Sequence, residues 1–355
     1  MSAHEKNLKE VSKMSGFSKK LQIIVWFIGA AIFALLVFLP SLGLHAFWNI
    51  LIPVAPALLV IAPGLWRNIC PMGSTTLLPR HMGYSKKNKI SEKTSTIFNL
   101  IGLVLLFSMV PLRHLILDMS GQATAISILT LTLAGVILGS VFEWKSGWCS
   151  GMCPIHQVEK IYGQSSVFQL KNDHCGSCVN CVSPCPDSTT PGIIQIQNTP
   201  RIKKYTDLVM RGGFVGFVWG WFQVPNFHAA ITTTEIFQAY ALPILGMSVS
   251  LFIFLVFREI LGQKNREYTF RLFPAMAVMV YYWYRIPMLF GFGMFPGDGM
   301  LVDLTHTLPA WTMAFTQILT SAGFLWLMVL KDLPTRSWSL RPKSTELGSF
   351  PTFSR

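Results

Sequence analysis

The chain has 355 residues and a formal net charge of +13, yet only 13% of its residues are charged and 51% are hydrophobic. A soluble domain carries about 25% charged residues, so the composition excludes an ordinary soluble globular protein. It predicts an all-α integral membrane protein.

Eight apolar runs are long enough to cross about 30 Å of hydrocarbon. In chain order they lie near residues 21–39, 44–65, 97–117, 123–142, 208–224, 236–257, 272–290 and 308–330. The first has no small-residue cleavage site and reads as a retained helix. The second contains Pro53, Pro56 and Pro63, which predict a kinked helix whose freed carbonyls need partners. The fifth carries Gly212, Gly216 and Gly220 on one face, a pattern for close helix packing. An even number of spans puts both termini on one side. With the N-terminus inside, 27 of the 29 Lys and Arg fall on that side, and only Arg113 and Arg285 fall near the other. This is the positive-inside pattern. It accounts for the charge without nucleic acid and predicts cytoplasmic termini.

Three units follow. Residues 1–142 form a four-helix membrane half with a cysteine-bearing inner loop. Residues 143–207 form a small cytoplasmic segment, Gly-, Pro- and Cys-rich, with one strand-like patch at 192–197. Residues 208–355 form a second four-helix half with a cytoplasmic tail. The middle unit is too short to bury much core, and bound metal clusters are the expected staple.

All seven cysteines lie on the predicted inner side. GLWRNICPMG (Gly64–Gly73) follows the second run and GWCSGMCPIH (Gly147–His156) follows the fourth. Aligning Cys70-Pro71 with Cys153-Pro154 pairs Gly64 with Gly147 and sets Trp66 opposite Cys149. Two hairpins thus end in related loops, one of them a cysteine short. Then comes CGSCVNCVSPCP, in which Cys175, Cys178, Cys181, Cys185 and Pro186 fit the bacterial ferredoxin pattern C-x2-C-x2-C-x3-C-P. A cytoplasmic location disfavours disulfides. Zinc sites usually pair two C-x2-C knuckles. The run therefore predicts a [4Fe–4S] cluster, with a ferredoxin-like insert around it.

In such runs the fourth cysteine serves the other cluster. That rule assigns cluster A to Cys175, Cys178, Cys181 and Cys153. Cluster B takes Cys149 and Cys185, with Cys70 from the first loop. One ligand is missing, where Trp66 stands. Cluster B then reads as a [3Fe–4S], as a [4Fe–4S] with a non-thiolate ligand, or as absent. His156, His174, Asp173 and Asp187 are the nearby candidates for an odd ligand.

These loops and this run, within roughly the first 200 residues, resemble the polyferredoxin-like membrane iron–sulfur proteins of the NapH/NosR type. That pattern has C-x3-C-P in both loops and often two ferredoxin runs. This chain departs from it at Trp66 and has one run. The resemblance implies a multi-pass protein of the bacterial cytoplasmic (inner) membrane. It implies electron transfer between the quinone pool, or a cytoplasmic donor such as soluble ferredoxin, and a partner oxidoreductase subunit.

On the predicted outer face, His45, His114, His228 and His306 each lie in or beside one turn. Four imidazoles could ligate a metal or a haem; equally, they could face headgroups or cap helices. Asp118, Glu235, Asp298 and Asp303 share that face. YYWYR (Tyr281–Arg285) reads as an aromatic belt or as a quinone-head pocket with Arg285 or a tyrosine hydroxyl as donor. No dinucleotide fingerprint, P-loop, nucleophile–base motif or C-x-x-C-H haem attachment occurs. The expectation is an iron–sulfur electron-transfer protein in lipid. The alternative is a redox maturation factor for a metalloenzyme. A transporter with a regulatory cluster is disfavoured, because no span carries a mid-membrane carboxylate.

Overall fold

The computed structural model describes residues 3–88, 90–142, 145–163, 201–227, 231–261, 266–309 and 311–331. The ferredoxin run and the strand-like patch at 192–197 lie outside the described residues. Among those described, every regular element is helical, and the one ladder contact is an isolated bridge between Asn88 and Phe142. The elements are α1 (Ala3–Phe38), α2 (Pro40–Ile61), α3 (Pro63–Ile69), α4 (Pro71–Thr76), α5 (Leu78–His81), α6 (Glu92–Leu117) and α7 (Gly121–Val141). After the second loop come α8 (Pro154–Tyr162), α9 (residues 201–222), α10 (Thr233–Ile260), α11 (Arg266–Leu289) and α12 (Trp311–Leu330).

Local chemistry sets several of these starts. Ser91 accepts from Thr94 N–H ahead of α6, and Ser120 accepts from Ala123 N–H ahead of α7. Thr232 and Glu235 form a reciprocal capping box at α10. Each arrangement satisfies backbone donors that a helix start leaves open.

Six helices are long and apolar enough to cross a membrane: α1 over Lys20–Phe38, α2, α6, α7, α10 and α12. They present large apolar side chains outward, among them Phe27, Phe38, Ile126, Ile137, Phe237, Phe252 and Trp311. So much contiguous apolar surface is foreign to soluble monomers and matches a hydrocarbon surround.

The fifth and seventh runs expected from the sequence fall on α9 and α11, which are helical but less apolar than the six. Charge breaks the pattern, with Arg211 in α9 and Arg271 and Arg285 in α11. These two helices supply the packed interior instead. Phe217 and Phe222 of α9 and Ala275, Ala277 and Val278 of α11 are buried together with Phe254 of α10. The glycine face of α9 lies on α10, as its spacing suggests. A Cβ on Gly216 would come within 1.9 Å of the Gly246 carbonyl oxygen, so the two backbones nearly touch.

The prolines of α2 do bend it, and a side chain from α11 repairs the break. Residues His45–Leu51 form a π-helical turn, Pro56 lies inside the next segment, and Ala62 leaves helical geometry with φ −146°. The Tyr282 hydroxyl inserts into the ladder. It accepts from Ala57 N–H at 2.8 Å and donates to the Pro53 carbonyl at 2.6 Å. A group inserted into the i→i−4 ladder is a recognised cause of kinks. Tyr282→Phe would strand a donor and an acceptor in the interior, at a cost of about 1–3 kcal/mol. We expect that loss in detergent unfolding, with Tyr284→Phe close to neutral. Equal stability of the two variants would contradict the inserted hydroxyl.

Candidate cluster site

The two Cys-Pro loops adopt the same local form. Cys70 stands before α4 with φ −56° and ψ 118°, and Cys153 stands before α8 with φ −64° and ψ 121°. In both, proline takes the first helical position, where a missing N–H costs nothing. Neither sulfur closes a formal cap hydrogen bond. Yet the N–H groups of Met72 and Gly73 favour the anion at Cys70, and those of Ile155 and His156 favour it at Cys153. The weak repeat read from sequence is therefore present in the backbone. The loops differ upstream. Cys70 N–H bonds the Trp66 carbonyl, four residues back. Cys153 N–H bonds the Trp148 carbonyl, five back, through a π turn at Trp148–Met152.

The loops meet. A Cβ on Gly73 would lie 3.7 Å from Cys149 Sγ and 3.9 Å from Cys70 Sγ, so both sulfurs flank one glycine. Cys70, Cys149 and Cys153 are thiols in the structure and line one cavity of about 490 Å³ with Trp66, Trp148 and His156. The cavity continues along α1, α2 and α7 as a largely apolar chamber. Burial raises both Cys70 and Cys153, the latter to about 12, and the charge of Lys145 opposes the shift at Cys70.

A buried polar cluster supports the cavity wall. Arg67 of α3 pairs with Glu159 Oε1 of α8, and Glu159 Oε2 lies 3.3 Å from His156 Nδ1. Lys145 Nζ donates to the Arg67 carbonyl at 3.1 Å. Lys160 donates to Asn99 Oδ1 on α6. Burial pushes His156 down to about 4 and Lys160 down to about 8, whereas Arg67 holds Glu159 below the usual carboxylate range despite its burial. The sequence reading missed the Arg67–Glu159 pair. Its partners are 92 residues apart and nothing in either stretch announces the other.

Of the sequence-predicted cluster ligands, the structure brings together Cys70, Cys149 and Cys153. Cys175, Cys178, Cys181 and Cys185 lie outside the described residues, as do Asp173, His174 and Asp187. Three soft donors in one cavity, with backbone N–H groups beside Cys70 and Cys153 that partly offset the effect of burial, are the donor type a thiolate-bound cluster takes. Among the described residues, no three His, Cys, Asp or Glu side chains stand close enough to share a single metal ion.

The same holds for the histidines of the opposite end. His228 lies outside the described residues, and His306 is exposed. His45 Nδ1 sits 2.9 Å from Asn49 Nδ2. His114 is buried with both ring nitrogens taken, Nδ1 by Asn226 Oδ1 at 2.8 Å and Nε2 by the Trp221 carbonyl at 3.0 Å. It belongs to a polar knot that ties α2, α6, α9 and α11 together. Arg113 stacks between Trp48 and Trp221, 4.6 and 5.1 Å from their ring centroids, and pairs with Asp118. Asn226 donates to Asp118 and Asp298. Arg285, fully buried, donates to the Trp48 carbonyl at 2.7 Å and to Asn49 Oδ1 at 2.8 Å. The YYWYR stretch is thus divided among structural tasks, with Tyr282 in the α2 kink and Arg285 in the knot.

No family model, no curated protein and no solved structure matches the chain.

The convergence of the loops can be tested in the apo protein. In a variant that retains only Cys70 and Cys149, a short bifunctional thiol reagent should bridge the two within one chain. Both thiols should be consumed without dimer. Single-ended labelling or crosslinked dimers would contradict the shared glycine contact.

Proposed function

We propose that the protein is a membrane-bound iron–sulfur electron-transfer protein that relays electrons from a quinol or a cytoplasmic donor to a partner oxidoreductase. One observation carries this reading. Cysteines from two separate inter-helix loops face one cavity at the end of the bundle where α2 and α7 finish. Thiols placed only for packing have no reason to be grouped and oriented by a repeated turn.

In this reading α9 and α11 count as spans, giving eight, and the basic residues put the cysteine end in the cytoplasm. The membrane is the bacterial inner membrane. Cys175, Cys178, Cys181 and Cys153 hold cluster A, and Cys149, Cys185 and Cys70 serve cluster B. A cubane bound there supplies one-electron transfer with little rearrangement. The chain's own groups do the rest. The helix-start N–H groups and Lys145 favour anionic sulfur. The apolar walls exclude water, which strengthens those interactions. Glu159 and Arg67 neutralise one another beside the site.

The reading is tested on the full chain, purified without oxygen and placed in lipid nanodiscs. Reduction by a short-chain quinol, or by a reduced soluble ferredoxin, should bleach the broad visible absorbance of the clusters. An added one-electron acceptor should restore it. Cys178→Ser should lose most of the signal. A coloured, iron-loaded protein that neither donor reduces would contradict the relay.

A further inference from the structure

One buried cation stands without an acceptor. Arg211 lies in the π turn Val209–Gly213 of α9 and is 4% exposed. Its Nε and Nη1 are buried with no hydrogen-bond partner among the described residues. A guanidinium stays charged in proteins, and a buried charge left uncompensated is costly. The support it does have is slight. The group sits over the Phe270 ring of α11, 5.4 Å from the centroid. The charge of Asp207, one turn back, reaches it, but no ion pair to Arg211 forms among the described residues. Thr269, the residue before Phe270, is 2% exposed, and its hydroxyl is likewise unmet among the described residues. A buried cation and a buried hydroxyl thus share the seam between α9 and α11.

More positive charge gathers beside them. Lys160, near the end of α8, feels Lys203 and Arg211 as well as Asp207. Glu159 acts there too, but it is committed to Arg67. Three cations therefore meet one uncommitted carboxylate. Water would accept from Arg211 and Thr269 yet leave that excess of charge in place. A phosphate group answers both needs, because its oxygens accept charge-assisted hydrogen bonds and its charge offsets the cations. The position agrees. Lys160, Lys203 and Thr269 belong to the basic end of the bundle, and basic pockets between transmembrane helices on the cytoplasmic side bind phosphate head groups.

We propose that Arg211 and Thr269, in the field of Lys160 and Lys203, bind a phosphate group at the seam of α9 and α11. The group is carried by an anionic phospholipid of the inner leaflet or arrives as free phosphate. Bound there, it fastens the two charged helices α9 and α11 beside α8. The site uses none of the cysteines and is independent of the iron–sulfur reading.

The test is thermal unfolding of the full chain, delipidated in detergent and titrated separately with dioleoyl phosphatidylglycerol, with inorganic phosphate, and with chloride at equal ionic strength. One of the first two should stabilise the protein saturably, beyond chloride. Stabilisation by the lipid alone identifies a head group, and stabilisation by phosphate identifies the free ion. Arg211→Gln should weaken the apparent affinity by about tenfold or more, since it removes charged hydrogen bonds. Arg258→Gln, which removes an arginine paired with exposed Glu259, should leave the affinity within about twofold, the change expected of a surface charge. If Arg211→Gln does not fold, Thr269→Val decides, with an expected loss of about threefold to tenfold. No stabilisation beyond chloride would overturn the site. So would an affinity that the deciding variant leaves unchanged, or one that Arg258→Gln weakens equally.

Discussion

A cysteine followed by proline at the start of a helix is the constraint on which the site depends. Proline fixes the first helical φ and takes the position where no N–H is required. The preceding residue is pushed into extended geometry. Its side chain is then left beside the helix's first N–H groups. Used once, this turn gives a buried thiol. Used twice, at the ends of α2 and α7, it points two sulfurs from separate loops into one space. Cys149 adds a third from the π turn before Cys153, at the position Trp66 holds in the first loop.

The two ends of the molecule handle buried polarity differently. At the cysteine end, Arg67, Glu159, His156, Lys145 and Lys160 form a charged wall around a cavity. At the opposite end, Arg113, Arg285, Asp118, Asp298, His114 and Asn226 are tied to one another and to backbone carbonyls. That knot joins α2, α6, α9 and α11 to the loop before α12. Breaking one partner of a buried charged pair leaves the other uncompensated, so the knot holds these helices in register with one another. Arg113 and Arg285 are accordingly buried within it.

Much of the membrane architecture could be read in the residues. Apolar runs of sufficient length identify α1, α2, α6, α7, α10 and α12, because a lipid-facing helix must be apolar along most of its length. The same measure is weak for α9 and α11. Their interior faces tolerate Arg211, Arg271 and Arg285, since neighbouring helices rather than lipid surround much of them. The glycine spacing of α9 was legible because close backbone approach admits no side chain. The proline kink of α2 was legible too, but not the Tyr282 hydroxyl that repairs it, for that partner lies 225 residues away. At the site, the aligned Cys-Pro pairs foretold the matching turns of Cys70 and Cys153. The Arg67–Glu159–His156 chain had no sequence signal, since it exists only once the loops meet. The outer histidines share a face in sequence, but His114 spends both ring nitrogens on the knot.

The central claim is that these cysteines hold iron and sulfide. The most direct measurement is iron and acid-labile sulfide per chain in protein purified without oxygen, with EPR of the oxidised and dithionite-reduced states. The account predicts about four to eight irons with matching sulfide and the signal of at least one reduced cluster. Zinc in place of iron, or a chain with neither iron nor sulfide, would contradict it.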